Sequence, residues 1–156
     1  MAEKARQAIS EFLAQKRIAV VGASRNPKDF NTLVFHDLRQ RGYDAVPVNP
    51  NAKEIDGVRC YAHVQEIDPP VEGVLVMTKP DAAGAVVEDC LQAGIQRVWL
   101  YGIAGKGAAS PPVVEQCRKN GIAVVPGFCP YMFLPKTQWF HRLHGAFLKI
   151  AGLYPA

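Results

Sequence analysis

Five short apolar runs, each rich in β-branched residues and each cut off by glycine, proline, asparagine or a polar residue, constrain this chain more than any other feature. They read "RIAVVGAS", "DAVPVNPN", "EGVLVMT", "QRVWLYG" and "IAVVPG". Runs that stay apolar on successive residues suit strands buried on both faces. The stretches between them have helical spacing. Residues 3–15 repeat Ala5, Ala8, Ile9, Phe12 and Leu13, and residues 29–41 repeat Leu33, Val34 and Leu38 before stopping at Gly42. "KPDAAGAVVEDCLQAG" opens near Pro80 and closes on Gly94, and "SPPVVEQCRKNG" offers Ser110 as a helix cap followed by Pro111. Residues 51–70 predict a turn, a short extended piece and one helical turn. Residues 135–150 predict a last helix with an apolar stripe of Trp139, Phe140, Leu143, Phe147 and Ile150.

Strands alternating with helices at this spacing give an α/β fold: a doubly wound, mostly parallel five-stranded sheet with helices on both faces. The 156 residues read as a single domain, 1–156. A composition of 49% hydrophobic and 21% charged residues argues against disorder. The net charge of +4 is dispersed, which suits an anionic small ligand and excludes nucleic acid as the expected partner. No stretch approaches the roughly 18 apolar residues of a membrane span, so no membrane partner is expected. The first residues carry no signal-peptide block. Cys60, Cys90, Cys117 and Cys129 share no C-x-x-C spacing, and the expectation is a cytoplasmic protein with reduced thiols.

Doubly wound sheets bind ligands outside the carboxyl ends of their strands. After the first strand comes Gly22-Ala23-Ser24, where a nucleotide-type turn would stand. The G-x-G-x-x-G fingerprint is absent, with Ser24 and Pro27 where two of its glycines would be. One glycine still permits close backbone approach, the Ser24 hydroxyl can donate to phosphate, and a helix N-terminus follows. Arg25, Lys28 and Asn31 add groups suited to phosphate oxygens. After the second strand, Val48-Asn49-Pro50 stands where an NAD site wants a carboxylate, and Lys53 follows. That argues against NAD and leaves NADP or a nucleotide with a 3′-phosphate.

The third strand ends in Thr78-Lys79-Pro80, suited to lining an adenine or pantetheine channel. The fourth ends in "YGIAGKGAAS", read as a flexible loop in which Gly102 and Lys106 offer an anion nest. Cys129 follows the fifth strand and is a weak candidate nucleophile. It would need a base from His36, His63, His141 or His144, none at fixed spacing. His141 and His144 have no third ligand near them, so no metal site is expected.

With these loops together, the chain resembles the small stand-alone CoA-binding proteins, which are similar to the CoA-binding domain of the succinyl-CoA synthetase α subunit. The likeness rests on "RIAVVGASRNP", "GYDAVPVNPNAKEIDGVRCYAHVQEI", "GVLVMTKP", "RVWLYG" and "FCPYMFL" in combination. It implies a Rossmann-like, nucleotide-binding domain that takes CoA or acyl-CoA as its cofactor. Gly22 to Arg25 would lie at the CoA phosphates, Val48 to Pro50 with Lys53 at the adenosine, and Thr78 to Pro80 along the nucleotide or pantetheine. The phosphohistidine loop and second domain of the synthetase are not found, so ligase activity does not carry over. The expectation is a binding module without chemistry of its own: a carrier, a sensor or a partner-dependent unit. The alternative is an NADP-dependent reductase or a thiol-based CoA enzyme using Cys129. A homo-oligomer or a protein partner would use the C-terminal aromatic helix.

Overall fold

The computed structural model describes residues 2–103 and 106–134. In chain order the elements are α1 (Ala2–Leu13), β1 (Arg17–Val21), α2 (Phe30–Gln40), β2 (Asp44–Val48), β3 (Glu54–Ile55), β4 (Val58–Arg59), β5 (Gly73–Val76), α3 (Pro80–Gln92), β6 (Arg97–Ile103), β7 (Lys106–Gly107), α4 (Pro111–Lys119) and β8 (Ala123–Phe128). Single 3-10 turns occupy Val64–Glu66 and Pro130–Met132.

Five strands pair in parallel in the order β2-β1-β5-β6-β8. The mostly parallel five-stranded sheet and the Rossmann-like class are therefore as read from the sequence. The chain steps outward from β1 to β2 and returns to β5 on the other side of β1. The crevice at the carboxyl ends of β1 and β5 is thus the switch point where this architecture takes ligands. The two edge strands, β2 and β8, carry Pro47 and Pro126, in keeping with proline's missing N–H.

The central strands are buried on both faces and feed two cores. Ile18, Val20, Leu75 and Trp99 pack with Phe12 of α1 and Val34, Phe35 and Leu38 of α2. Ala19, Val21, Val74, Val76, Val98 and Leu100 pack with Ala83, Val87 and Cys90 of α3 and Val113 and Cys117 of α4. The helices end as the glycine signals predict. After α2, Gly42 N–H donates to Arg39 O at 3.0 Å and Tyr43 N–H to Leu38 O at 3.1 Å. Gly94 and Ile95 repeat this double bond after α3, and Gly121 and Ile122 after α4, each with an apolar residue following the glycine.

Two readings need correction. The stretch after the fourth strand is not a free loop: β6 continues to Ile103 and turns back on β7, with Gly102 opposite Gly107 and Ile103 opposite Lys106. A Cβ on Gly107 would meet Tyr101 O at 2.5 Å, so this glycine serves a close approach of two backbones. Ser110 precedes α4 but makes no side-chain capping bond. Pro112, at the second helical position, lacks one of the two N–H groups a capping hydroxyl would accept, and Ser110 does not take the other, that of Val113. The aromatic C-terminal segment, with His141 and His144, lies outside the described residues, as does Gly105. No helix among the described residues is long and apolar enough to cross a membrane.

Candidate functional site

The carboxyl ends of β1, β2 and β5 meet at Gly22, which has a left-handed φ of 110°. A Cβ there would lie 2.7 Å from Met77 O, so the end of β1 approaches the end of β5 only because no side chain intervenes. Asn31, in the first turn of α2, closes this junction. Its amide donates to Gly22 O at 3.1 Å and to Met77 O at 2.8 Å. Asn31 thus ties two strands together, rather than offering a free donor to a ligand.

The turn that follows is wired to α2. Buried Thr32 accepts the Ser24 N–H at 3.0 Å and donates its hydroxyl to Ser24 O at 3.0 Å. The Ser24 hydroxyl donates to the Asp29 carboxylate, and Asn26 Nδ2 donates to the same carboxylate at 2.9 Å. Lys28 N–H donates to Asn26 Oδ1 at 3.0 Å. The side chains of Arg25 and Lys28 stand exposed on the outside of the turn, and Ala23 is buried beneath it. Among the described residues, no protein acceptor meets the N–H groups of Phe30, Asn31 and Thr32, which form the first turn of α2. The anion-attracting end of that helix is therefore open at the switch point.

At the end of β2, buried Val48 bridges to Tyr61, and Asn49 N–H donates to Tyr61 O at 2.9 Å. Asn49 Nδ2 reaches across to Ala23 O at 2.9 Å, joining the β2 end to the β1 turn, and Asn49 Oδ1 accepts Asn51 N–H at 2.8 Å. Pro50 and Lys53 are exposed. No carboxylate takes part in this junction. The hairpin β3–β4, turned by Asp56-Gly57 with both residues at positive φ, folds beside it. It brings Arg59, whose guanidinium lies 4.7 Å from the Tyr61 ring centre. Arg59 and Asp29 are candidate site residues, placed at these strand ends by the fold, that sequence reasoning missed. Asp56-Gly57 is a strong hairpin signal that would have placed Arg59 near Lys53. Nothing in the sequence marks Asp29 as a partner of Ser24.

Thr78 follows the end of β5. Its hydroxyl is buried with no hydrogen-bond partner among the described residues, a costly state for a polar atom unless something else supplies one. Lys79 is exposed and Pro80 opens α3. Gly102 sits two strands from β1, buried under the β6–β7 turn. The structure thus gathers Gly22 to Arg25, Val48 to Lys53 and Thr78 to Pro80 at adjoining strand ends, with Gly102 farther along the sheet.

Cys129 follows β8 but is sealed from solvent. Burial pushes its thiol up to about 11, although the backbone of Tyr131 bonds it and partly opposes the rise. It is protonated at neutral pH, which removes the thiolate a nucleophile needs. Burial likewise pushes Tyr101 up to about 12, with Cys129 adding to the effect. His36 pairs with Asp56 at 2.9 Å and His63 with Asp89 at 3.0 Å, so neither serves Cys129 as a base. Among the described residues, no group of three His, Cys, Asp or Glu could hold a metal.

Residues 16–135 match a protein family described as CoA binding domain. The uncharacterized protein YneT of Bacillus subtilis is 30% identical over 122 residues, covering 78% of this chain and 87% of that protein. The α subunit of acetate–CoA ligase (ADP-forming) II from Pyrococcus furiosus is 27% identical across 76% of this chain. The match takes in only 27% of that subunit's length. A solved structure of a hypothetical protein from Pyrococcus horikoshii superposes with a TM-score of 0.72 at 28% identity. It covers 83% of this chain and 87% of that one.

Proposed function

Because the chain belongs to the CoA-binding domain family, we propose that it binds coenzyme A, free or acylated, across the ends of β1, β2 and β5, as a module without catalysis of its own. One observation carries the reading. Among the described residues, the N–H groups of Phe30, Asn31 and Thr32 stand without protein acceptors, beside a backbone junction that Gly22 permits. The pyrophosphate would take these amides, with Arg25 and Lys28 as outer counter-charges. The adenosine end, with its 3′-phosphate, would lie toward Lys53 and Arg59, whose charges suit a phosphate. The pantetheine arm would run over Thr78 toward Gly102, and the orphaned Thr78 hydroxyl is suited to an amide of that arm.

The Cys129 thiol after β8 is buried and protonated, which makes it a poor nucleophile for thiol-based turnover by this chain. We read it as a carrier or sensor, or as a unit that serves a partner supplying the reaction. The four described cysteines are free and buried, which fits a reducing compartment such as the cytoplasm. Calorimetric titration with CoA, acetyl-CoA, NADP and NAD separates the possibilities. CoA should bind and NAD should not. Heat from a nicotinamide nucleotide alone would sink the proposal.

A further inference from the structure

We propose that Arg59, steadied by the ring of Tyr61, distinguishes coenzyme A from its 3′-dephospho form, an inference that rests on CoA occupying the ends of β1, β2 and β5. The open amides of α2 suit the pyrophosphate. The 3′-phosphate is a separate anion on the adenosine ribose, and a doubly wound site holds that ribose at the end of the strand beside β1, here β2. Lys53 and Arg59 are the cations that the β3–β4 hairpin and its approach bring to that end.

Arg59 differs from an ordinary surface arginine. Its hairpin is pinned on several sides. Asp56, in the turn, pairs with His36 of α2 at 2.9 Å, and Cys60 N–H donates to Lys53 O at 2.9 Å. Tyr61 N–H donates to Pro47 O at 3.1 Å, and Tyr61 O accepts Asn49 N–H. Side chains alternate along a strand, so Arg59 and Tyr61 share one side while Cys60 turns to the core. The Tyr61 ring is buried with Val48 and Val64, and the exposed guanidinium lies over it, 4.7 Å from the ring centre. Glu54 stands directly across the hairpin, where an opposite charge would usually pair with it. Among the described residues, neither Glu54 nor any other carboxylate forms an ion pair with Arg59. The ring therefore restrains the guanidinium without consuming its donors, and the planar fork matches a phosphate with two parallel N–H bonds. Lys53 has no ring beneath it. Its ammonium is a hydrated point charge on a flexible stem, which attracts a phosphate without fixing its place.

Calorimetric titration of the full chain with CoA and with 3′-dephospho-CoA reads the inference as a ratio of affinities. The parent should prefer CoA by roughly tenfold to a hundredfold, the range of a hydrogen bond to a charged group. Arg59→Gln should bring the two affinities together, and Lys53→Gln should leave most of the preference. Tyr61→Leu should shrink the preference, and Tyr61→Phe, which keeps the ring, should retain it. A purely structural Tyr61 would weaken both ligands alike and leave the ratio unchanged, which would overturn its positioning role. Equal binding of the two compounds by the parent, a preference that survives Arg59→Gln, or one that vanishes in Lys53→Gln would overturn the assignment to Arg59 while CoA binding stands. A parent that binds neither compound would overturn the CoA reading and this inference with it.

Discussion

Gly22 has two demands on it that no other amino acid type meets together. Its φ of 110° is left-handed, and its Cα hydrogen faces Met77 O where a Cβ would sit 2.7 Å away. Gly22→Ala should therefore cost roughly 1–3 kcal/mol in urea denaturation, the usual range for strain of this kind. It should also abolish CoA binding at concentrations where the parent saturates, because the β1 and β5 ends must part. Wild-type stability for the alanine variant would show that the junction is looser than its geometry implies. The demand at Gly22 was legible, since a lone glycine ending a buried strand has few other uses. The roles of Asn31 and Asn49 were not. Both read as polar groups available to a ligand, but Asn31 joins carbonyls of two strands and Asn49 reaches the carbonyl of Ala23. The Asn31 bond to Met77 spans 46 positions in the chain, a distance no local pattern encodes.

At the scale of an element, the N-terminus of α2 carries a conflict. Its open amides attract an anion, yet the nearest anion is its own Asp29, which holds the Ser24 hydroxyl and the Asn26 amide. A bound phosphate would face that carboxylate and would find Ser24 already donating elsewhere. Asp29→Asn keeps the shape and removes the charge. It should tighten CoA about tenfold, equivalent to roughly 1.4 kcal/mol, while costing the helix at most about 1 kcal/mol of dipole interaction. Calorimetry and thermal melting of the variant give both numbers, and weaker CoA binding would mean that Asp29 assists the site instead of opposing it. The elements themselves were largely readable, because β-branched runs and glycine stops are local signals. The β6–β7 turn escaped, since its glycines look like a mobile loop until the opposing backbone is in place. Ser110 does stand at the cap position of α4, but its side chain makes no capping bond, a detail of rotamer that the residue type alone does not reveal.

For the whole molecule, the two-faced sheet forces thiols into both flanking layers, and this gives stability a pH dependence of definite sign. Burial pushes Cys117 and Cys129 up to about 11. It pushes Cys90 up to about 12, with Cys117 and Asp89 adding smaller increments. In the unfolded chain these thiols titrate near 8.5. A group whose folded value is raised contributes fully below its unfolded value, so stability should be level from pH 6 to about 8. Above that the unfolded chain releases protons the folded one keeps, and each thiol removes about 1.4 kcal/mol per pH unit. The loss should persist until pH passes the folded values near 11 to 12. Urea denaturation at intervals up to pH 10.5 measures the slope, and Cys129→Ser should flatten it by about one thiol's share, roughly 1.4 kcal/mol per unit. A flat profile across that range would mean the thiols are wetter than their place in the core implies. The sequence marked Cys90 and Cys117 as packing residues from their apolar neighbours, and Cys129 as a weak candidate nucleophile. It could not rank them, because the depth of a thiol depends on which helix covers which face of the sheet. The same burial keeps Cys129 protonated at neutral pH, so a thioester bound beside it would meet no thiolate there.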